Sequence, residues 1–171
     1  MKNLIYLFLL ALIIGACQPT AEKQYFTESP EIEIAKKTNE AYMAGDWETI
    51  KSYFADSAFV YFNSTEGITS DQYVGGLQQS VANYSKYGFL EDANYEMIVT
   101  DNGQKWVHAW LNWEATTVDG KDVKTLVTIN WGIENDKIFG LVVIYNALPM
   151  YLAANPPSTP EIEADSITVD Q

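Results

Sequence analysis

Four consecutive stretches of alternating apolar and polar residues dominate the second half of the chain. They cover about residues 93–100, 105–117, 123–134 and 137–145. The short segments between them, Asp101-Asn102-Gly103, Asp119-Gly120 and Asn135-Asp136, are typical of tight hairpin turns. The pattern predicts an antiparallel meander of four strands, and one face of such a sheet must be covered by other elements.

Apolar residues at helical spacing precede these strands. The spacing predicts three helices, with a short aromatic strand at 58–63 between the second and the third. The first helix follows Ser29-Pro30 and ends at Gly45, the second begins at its cap Asp46 and stops near Asp56, and the third follows a capping box of Thr69 with Gln72 and runs to Tyr84. Helices first and antiparallel strands after them predict an α+β fold, with N-terminal helices packed on a curved antiparallel sheet.

An unbroken apolar run lies at the N-terminus and ends in small residues. The run from Leu4 to Ile14 has 11 residues and follows Lys2. It is too short for a membrane-spanning helix, which needs about 20 apolar residues, but it suits the core of a signal peptide. The next residues complete Ile14-Gly15-Ala16-Cys17, which resembles the lipobox of bacterial lipoproteins, where the cysteine is acylated and becomes the first mature residue. The sequence therefore predicts a lipoprotein signal peptide over 1–16 and a lipid anchor, including palmitate, on Cys17.

The resemblance to lipoproteins implies export across the inner membrane of a bacterium. Gln18 follows the cysteine in place of the Asp that signals inner-membrane retention in some lipoproteins, so we expect the outer membrane, on its periplasmic side. Residues 17–29 lack an apolar pattern and are predicted to be a lipidated tether. Prolines followed by acidic residues predict a disordered acidic tail over 155–171. The folded domain is predicted between them, over 30–154.

Charge and composition exclude several kinds of partner and site. The chain has 23 acidic residues against 10 lysines and no arginine, with a net charge of -13, so we expect no nucleic-acid partner. The single cysteine excludes an intramolecular disulfide. The sequence contains no glycine-rich phosphate loop, no Cys-His metal spacing and no Gly-x-Ser-x-Gly motif. We therefore expect neither a metal nor another cofactor.

The junction between the first two helices resembles a known superfamily. Met43-Ala-Gly-Asp-Trp-Glu48 and Tyr53-Phe-Ala-Asp-Ser-Ala-Phe59 are similar to the segment that joins two helices and enters the first strand in nuclear transport factor 2-like proteins, within them the SnoaL-like polyketide cyclases. The likeness covers about Ile32 to Tyr151. It implies a cone-shaped fold with a pocket between the concave sheet and the helices, and a possible homodimer through the outer sheet face. It does not imply one function, because members include enzymes and binding proteins.

The segment from Trp106 to Glu114 holds the densest set of candidate functional side chains. His108 is the only histidine, and histidine is the side chain best suited to act as a general base near neutral pH. A bulge at Leu111-Asn112 would place Trp113 on the face of His108, whereas strict alternation would place it on the other. Periodicity leaves both arrangements open. Strict alternation gives His108 the face-mates Trp106, Trp110, Asn112 and Glu114.

The candidate site combines this strand with its neighbours. His108 is the candidate catalytic base, and the predicted ligand-binding residues are Trp106, Trp110, Asn112, Asn130 and Tyr145. Packing in the core or hydrogen bonding within the sheet is the alternative role for each of them. Asp56 and Glu114 are the carboxylates nearest to the predicted pocket, and an apolar wall could raise the pKa of either one enough for it to act as a base. The alternatives are a turn cap for Asp56 and a solvent-facing position for Glu114.

Two functions of different classes follow. The first is a membrane-anchored lipoprotein that binds a small, largely apolar molecule in an aromatic pocket. The alternative is a SnoaL-like isomerase or dehydratase that uses His108 or a pocket carboxylate as its base. A third interpretation, a protein-interaction module on the outer sheet face, requires a contiguous exposed apolar patch.

Overall fold

Residues 24–91 and 93–156, which the computed structural model describes, place four helices on one side of a curved eight-stranded sheet. The predicted signal peptide, Cys17 and nearly all of the predicted tail lie outside these residues. The helices are α1 (Pro30–Ala44), α2 (Trp47–Tyr53), α3 (Ser70–Val81) and α4 (Leu148–Ala154). The strands are β1 (Tyr25–Phe26), β2 (Phe54–Phe62), β3 (Gly67–Thr69), β4 (Tyr84–Phe89), β5 (Asn94–Val99), β6 (Lys105–Thr117), β7 (Asp122–Glu134) and β8 (Lys137–Tyr145). This is the α+β fold that the sequence predicts.

Local capping residues set the starts of the first three helices. The Ser29 and Asp46 side chains each accept a hydrogen bond from a backbone N–H in the first turn of α1 and α2. Thr69 and Gln72 form the predicted capping box of α3. Gly45 ends α1 with a φ of +69°, a left-handed conformation that glycine adopts without steric cost. The three helix starts are therefore as predicted.

The sheet is more extensive than the sequence pattern indicates. The second helix ends at Tyr53, and β2 begins at the next residue, earlier than the predicted strand at 58–63. Tyr84, predicted at the end of the third helix, instead begins β4. The physical reason is the length of β6: β5 pairs with its first half and β4 with its second half along the same edge.

Chain order and sheet order differ at both ends of the domain. The sheet runs β1-β5-β6-β7-β8-β2-β3, with β4 also on β6. The β5-to-β8 portion is the predicted antiparallel meander, whereas β2 pairs with β8 in parallel. Tyr25 and Phe26, within the predicted tether, pair with β5 because that edge strand has backbone groups left to satisfy. The sheet thus begins inside the segment assigned to the tether.

Candidate functional site

Strand β6 alternates strictly between the two faces of the sheet. Its pairing with β7 continues without a register shift from Lys105 to Thr116, so the bulge left open by the sequence is not present. The face toward the helices, which we call the inner face, carries the buried side chains Val107, Ala109, Leu111 and Trp113. The opposite, outer face carries Trp106, His108, Trp110, Asn112 and Glu114. The tryptophan that faces the helices is therefore Trp113.

Most of the predicted site residues consequently lie away from the space between sheet and helices. Trp106, His108, Trp110, Asn112 and Asn130 all occupy the outer face, so the prediction that they line a pocket beneath the helices is wrong about their location. The physical reason is that β6 carries large rings on both faces, and the helices cover only the inner face, which holds Trp113. Tyr145, at the end of β8, is the predicted ligand-binding residue that does line an inner space.

The two candidate carboxylates also lie outside that space. Asp56 is exposed on β2. Glu114 lies on the outer face and forms an ion pair with Lys124 of β7. Neither carboxylate has the apolar wall that would make it a base at neutral pH, so the structure does not support this role for either residue.

A cavity of about 120 Å³ lies between the inner face of the sheet and helices α1 and α3. We call it the inner cavity. Half-buried side chains at its edge include Phe62, Tyr84, Tyr145 and Met150. Its lining consists of Thr38, Asn39, Tyr42, Ile50, Phe62, Tyr73, Leu77, Ser80, Tyr84, Phe89, Trp113, Val127, Ile129, Trp131, Leu141, Val143, Tyr145 and Met150.

Aromatic rings form two walls of the inner cavity. On one side, the Phe62 ring contacts Tyr73 and Tyr145, with ring centroids 5.3 and 5.4 Å apart. On the other side, Tyr84 packs edge-on against Trp113 at 5.4 Å. The Trp113 indole N–H donates a 3.0 Å hydrogen bond to the Tyr42 hydroxyl, which ties the sheet to α1.

The polar groups of the inner cavity are uncharged. Burial raises the pKa of Tyr42 and Tyr73, and to a smaller extent that of Tyr84 and Tyr145, so the hydroxyl groups stay protonated at neutral pH. None of the described lining residues is Asp, Glu, Lys or His. The inner cavity therefore offers hydrogen-bond donors without a side chain of the usual general-base type.

Four residues that line the inner cavity are absent from the predicted site: Tyr42, Tyr73, Trp113 and Met150. Tyr42 and Tyr73 belong to the apolar stripes that predict the first and third helices, so the sequence predicts that both side chains point toward the sheet. It does not predict that a cavity lies beside them. Met150 belongs to α4, which the sequence did not predict. The Lys121 side chain, just before β7, donates a 3.0 Å hydrogen bond to the carbonyl oxygen of Ala153 near the end of α4.

The outer face presents a different surface. Strand register aligns Tyr61, Val142, Asn130, His108 and Glu96 in one row across five strands. In this row His108 Nδ1 is hydrogen bonded to Asn130 Oδ1. On either side of the row are large apolar side chains, of which Phe59, Trp110, Leu126 and Ile144 are exposed. The outer face thus exposes apolar side chains on both sides of a polar row, on the face where an interaction module is predicted.

Two glycines keep part of the outer face flat beneath aromatic rings. A Cβ atom at Gly140 would lie 2.5 Å from the Phe59 ring, and one at Gly132 would lie 2.6 Å from the Phe139 ring. The Phe139 ring in turn packs edge-on against Trp106, with centroids 5.4 Å apart. Larger residues at either glycine would displace rings that lie flat on the sheet.

In residues 24–91 and 93–156, no three His, Cys, Asp or Glu side chains come together as metal ligands. The helices of the same ranges are too short or too polar to cross a bilayer.

Comparison with solved structures places the fold. IdmH of Streptomyces antibioticus, assigned as a polyketide cyclase, matches with a TM-score of 0.60 at 13% identity, over 74% of this chain and 99% of its own. A protein of Shewanella denitrificans assigned as a SnoaL-like polyketide cyclase matches with a TM-score of 0.56 at 14% identity, over 72% and 96%. PrhC of Penicillium brasilianum matches with a TM-score of 0.57 at 17% identity, over 72% and 87%.

These likenesses show the fold. The domain has the cone-shaped nuclear transport factor 2-like architecture of the SnoaL-like structures. No family model and no curated protein sequence matches the chain.

Proposed function

We propose that this chain is a membrane-anchored bacterial lipoprotein whose domain binds a small, largely apolar molecule in the inner cavity. The observation that carries the binding function is the cavity lining, which is mainly apolar and aromatic and has no charged side chain. Its volume of about 120 Å³ approaches the roughly 150 Å³ of an engineered protein cavity that binds benzene. The fold likeness to proteins assigned as polyketide cyclases supports a small molecule as the ligand.

An isomerase or dehydratase reaction is the second candidate, favoured by the same likeness. Its base cannot be His108 acting in the inner cavity, because that side chain lies on the outer face. Neither Asp56 nor Glu114 is among the residues that line the inner cavity, so neither can be the base there. We therefore propose binding as the primary function.

A pair of adjacent substitutions on β8 tests the binding site. Val143 lines the inner cavity, whereas Val142 lies on the outer face. Val143→Phe should fill the cavity and abolish binding of ethylbenzene, followed by an NMR titration of the purified chain. Val142→Phe and His108→Ala should bind ethylbenzene as the parent does, provided that circular dichroism shows each variant folded. Absence of binding of both ethylbenzene and acetophenone to the parent, or equal binding of ethylbenzene by Val143→Phe and the parent, would contradict the proposal.

The proposed anchor is the thiol of Cys17, and the proposed location is the periplasmic side of the outer membrane. The lipobox resemblance of Ile14-Gly15-Ala16-Cys17 supports both. Several acyl chains on one residue would hold the domain at the membrane, because each buried CH₂ contributes about 0.8 kcal/mol. Cys17→Ser should abolish incorporation of labelled palmitate. Labelling that persisted in this variant would rule out acylation at Cys17.

We further propose that the partner of the outer face is a second copy of this chain. A two-fold dimer needs only one self-complementary patch, and the outer face supplies an apolar one. Ile144 and Leu126, each 56% exposed, are large apolar side chains that such a dimer would cover. The central His108–Asn130 pair already satisfies one polar contact within each copy.

A further inference from the structure

We infer that the inner cavity selects an uncharged ligand that presents a hydrogen-bond acceptor oxygen, such as a carbonyl, to Tyr73. This inference rests on the proposed binding function and adds the chemical class of the ligand. Tyr73 lies on α3, is 9% exposed and lines the inner cavity. Its ring is held between Phe54 and Phe62, with centroids 6.1 and 5.3 Å away. The direction of its hydroxyl is therefore set by packing.

The Tyr73 hydroxyl has no hydrogen-bond partner among the described residues. No described side-chain oxygen or nitrogen is both sealed from water and unpaired, so this oxygen can be reached by water, and Tyr73 lines the inner cavity. An apolar ligand in the inner cavity would displace water from this donor, and an acceptor on the ligand would replace the lost hydrogen bond. The Tyr42 hydroxyl differs in that it accepts a hydrogen bond from the Trp113 indole N–H, which holds its oxygen toward the sheet.

Neighbouring hydroxyls reinforce the donor character of this part of the inner cavity. Burial raises the pKa of Tyr73, and ionisation of the nearby Tyr42 or Tyr145 would raise it further. All three groups are thus neutral donors at physiological pH. With no lysine or histidine in the lining, a carboxylate ligand would lose its hydration without gaining a cation. The inner cavity therefore favours neutral acceptors over anions.

Three probes of one ring and similar size separate these properties. Ethylbenzene has no oxygen, acetophenone has a carbonyl at the equivalent position, and benzoate carries a negative charge. In NMR titrations of the purified full chain, acetophenone should bind about 3- to 10-fold tighter than ethylbenzene, which is the range expected for one net hydrogen bond. Benzoate should bind more weakly than either.

The variant Tyr73→Phe removes the donor while keeping the ring contacts. Its affinity for acetophenone should fall to that for ethylbenzene, and its affinity for ethylbenzene should stay at the parent value. Tyr61→Phe, on the outer face, is the matched control and should keep the parent's preference. Ethylbenzene binding without a preference for acetophenone, or a preference that survives Tyr73→Phe, would overturn this inference and leave the binding proposal standing. Failure of both neutral probes to bind the parent would instead reject the binding proposal itself.

Discussion

Two tryptophans of β6, three residues apart, have opposite surroundings. Trp113 is 4% exposed, lines the inner cavity and donates a hydrogen bond to Tyr42 of α1. Trp110 is 48% exposed on the outer face. The helices cover one side of the sheet only, the side on which Trp113 stands with apolar residues, whereas Trp110 shares its face with His108, Asn112 and Glu114. The polarity of the residues on the same face, and not the presence of a large ring, therefore indicates which face of such a strand is covered.

The largest expected effect comes from truncating each of these rings. Trp113→Ala should lower the free energy of unfolding by about 3–5 kcal/mol, because it removes a fully buried ring and leaves a void. Trp110→Ala should cost about 1 kcal/mol or less in the monomer, because about half of the ring is already exposed. Urea denaturation of both variants at low protein concentration measures the difference. Equal losses would mean that the two faces are equally buried and would break the comparison.

A charge on the outer face tests whether a second copy covers it. Ile144→Lys should weaken self-association by about 100-fold or more, because a two-fold dimer would bring two like charges into its interface. Sedimentation velocity of the purified chain measures the association. Val118→Lys, at a 73% exposed apolar residue outside the outer face, is the control and should associate as the parent does. A monomeric parent would show that the outer face has no second copy as its partner.

The stability of the parent and of Tyr73→Phe at alkaline pH, compared with each other, tests the inner face. Burial raises the pKa of Tyr73 in the folded chain, so above pH about 10 the unfolded chain loses this proton while the folded chain keeps it. The folded state is then disfavoured, and the contribution of Tyr73 falls by about 1.4 kcal/mol per pH unit. Below pH about 10 this contribution is fully present. Urea denaturation should therefore show a shallower decline above pH 10 in Tyr73→Phe than in the parent; identical slopes would contradict the burial of this hydroxyl.

The long elements were predictable because their signals are local. Caps at Ser29, Asp46 and Thr69 begin the helices, and Asp119-Gly120 and Asn135-Asp136 turn the strands at the predicted places. The prediction that the third helix runs to Tyr84 was wrong, because an aromatic residue three positions after Val81 also fits the apolar spacing of a helix. Its strand forms because a free edge of β6 is available, which is information from distant residues.

The candidate site was less predictable than the fold. Polarity directed attention to His108 and its face-mates, which lie on the outer face together with Asn130, their neighbour on β7. The inner cavity is formed where side chains from α1, α3, β6 and β8 fail to meet, and no local pattern reports a gap between distant elements. Tyr145 lines the inner cavity because it ends a strand whose register follows from its hairpin with β7, and its role in binding a ligand stays a prediction.

The parallel pairing of β2 with β8 has a consequence for how the chain acquires its structure. Val60 lies opposite Leu141, so this ladder joins segments from the two ends of the domain. Such long-range pairing requires a large loop to close before its contacts form, which slows folding. While the chain emerges in order, β2 can find β3 at once, but its other edge must wait until β8 has followed. The helices built around β2 therefore receive their complete sheet only when the last strand arrives.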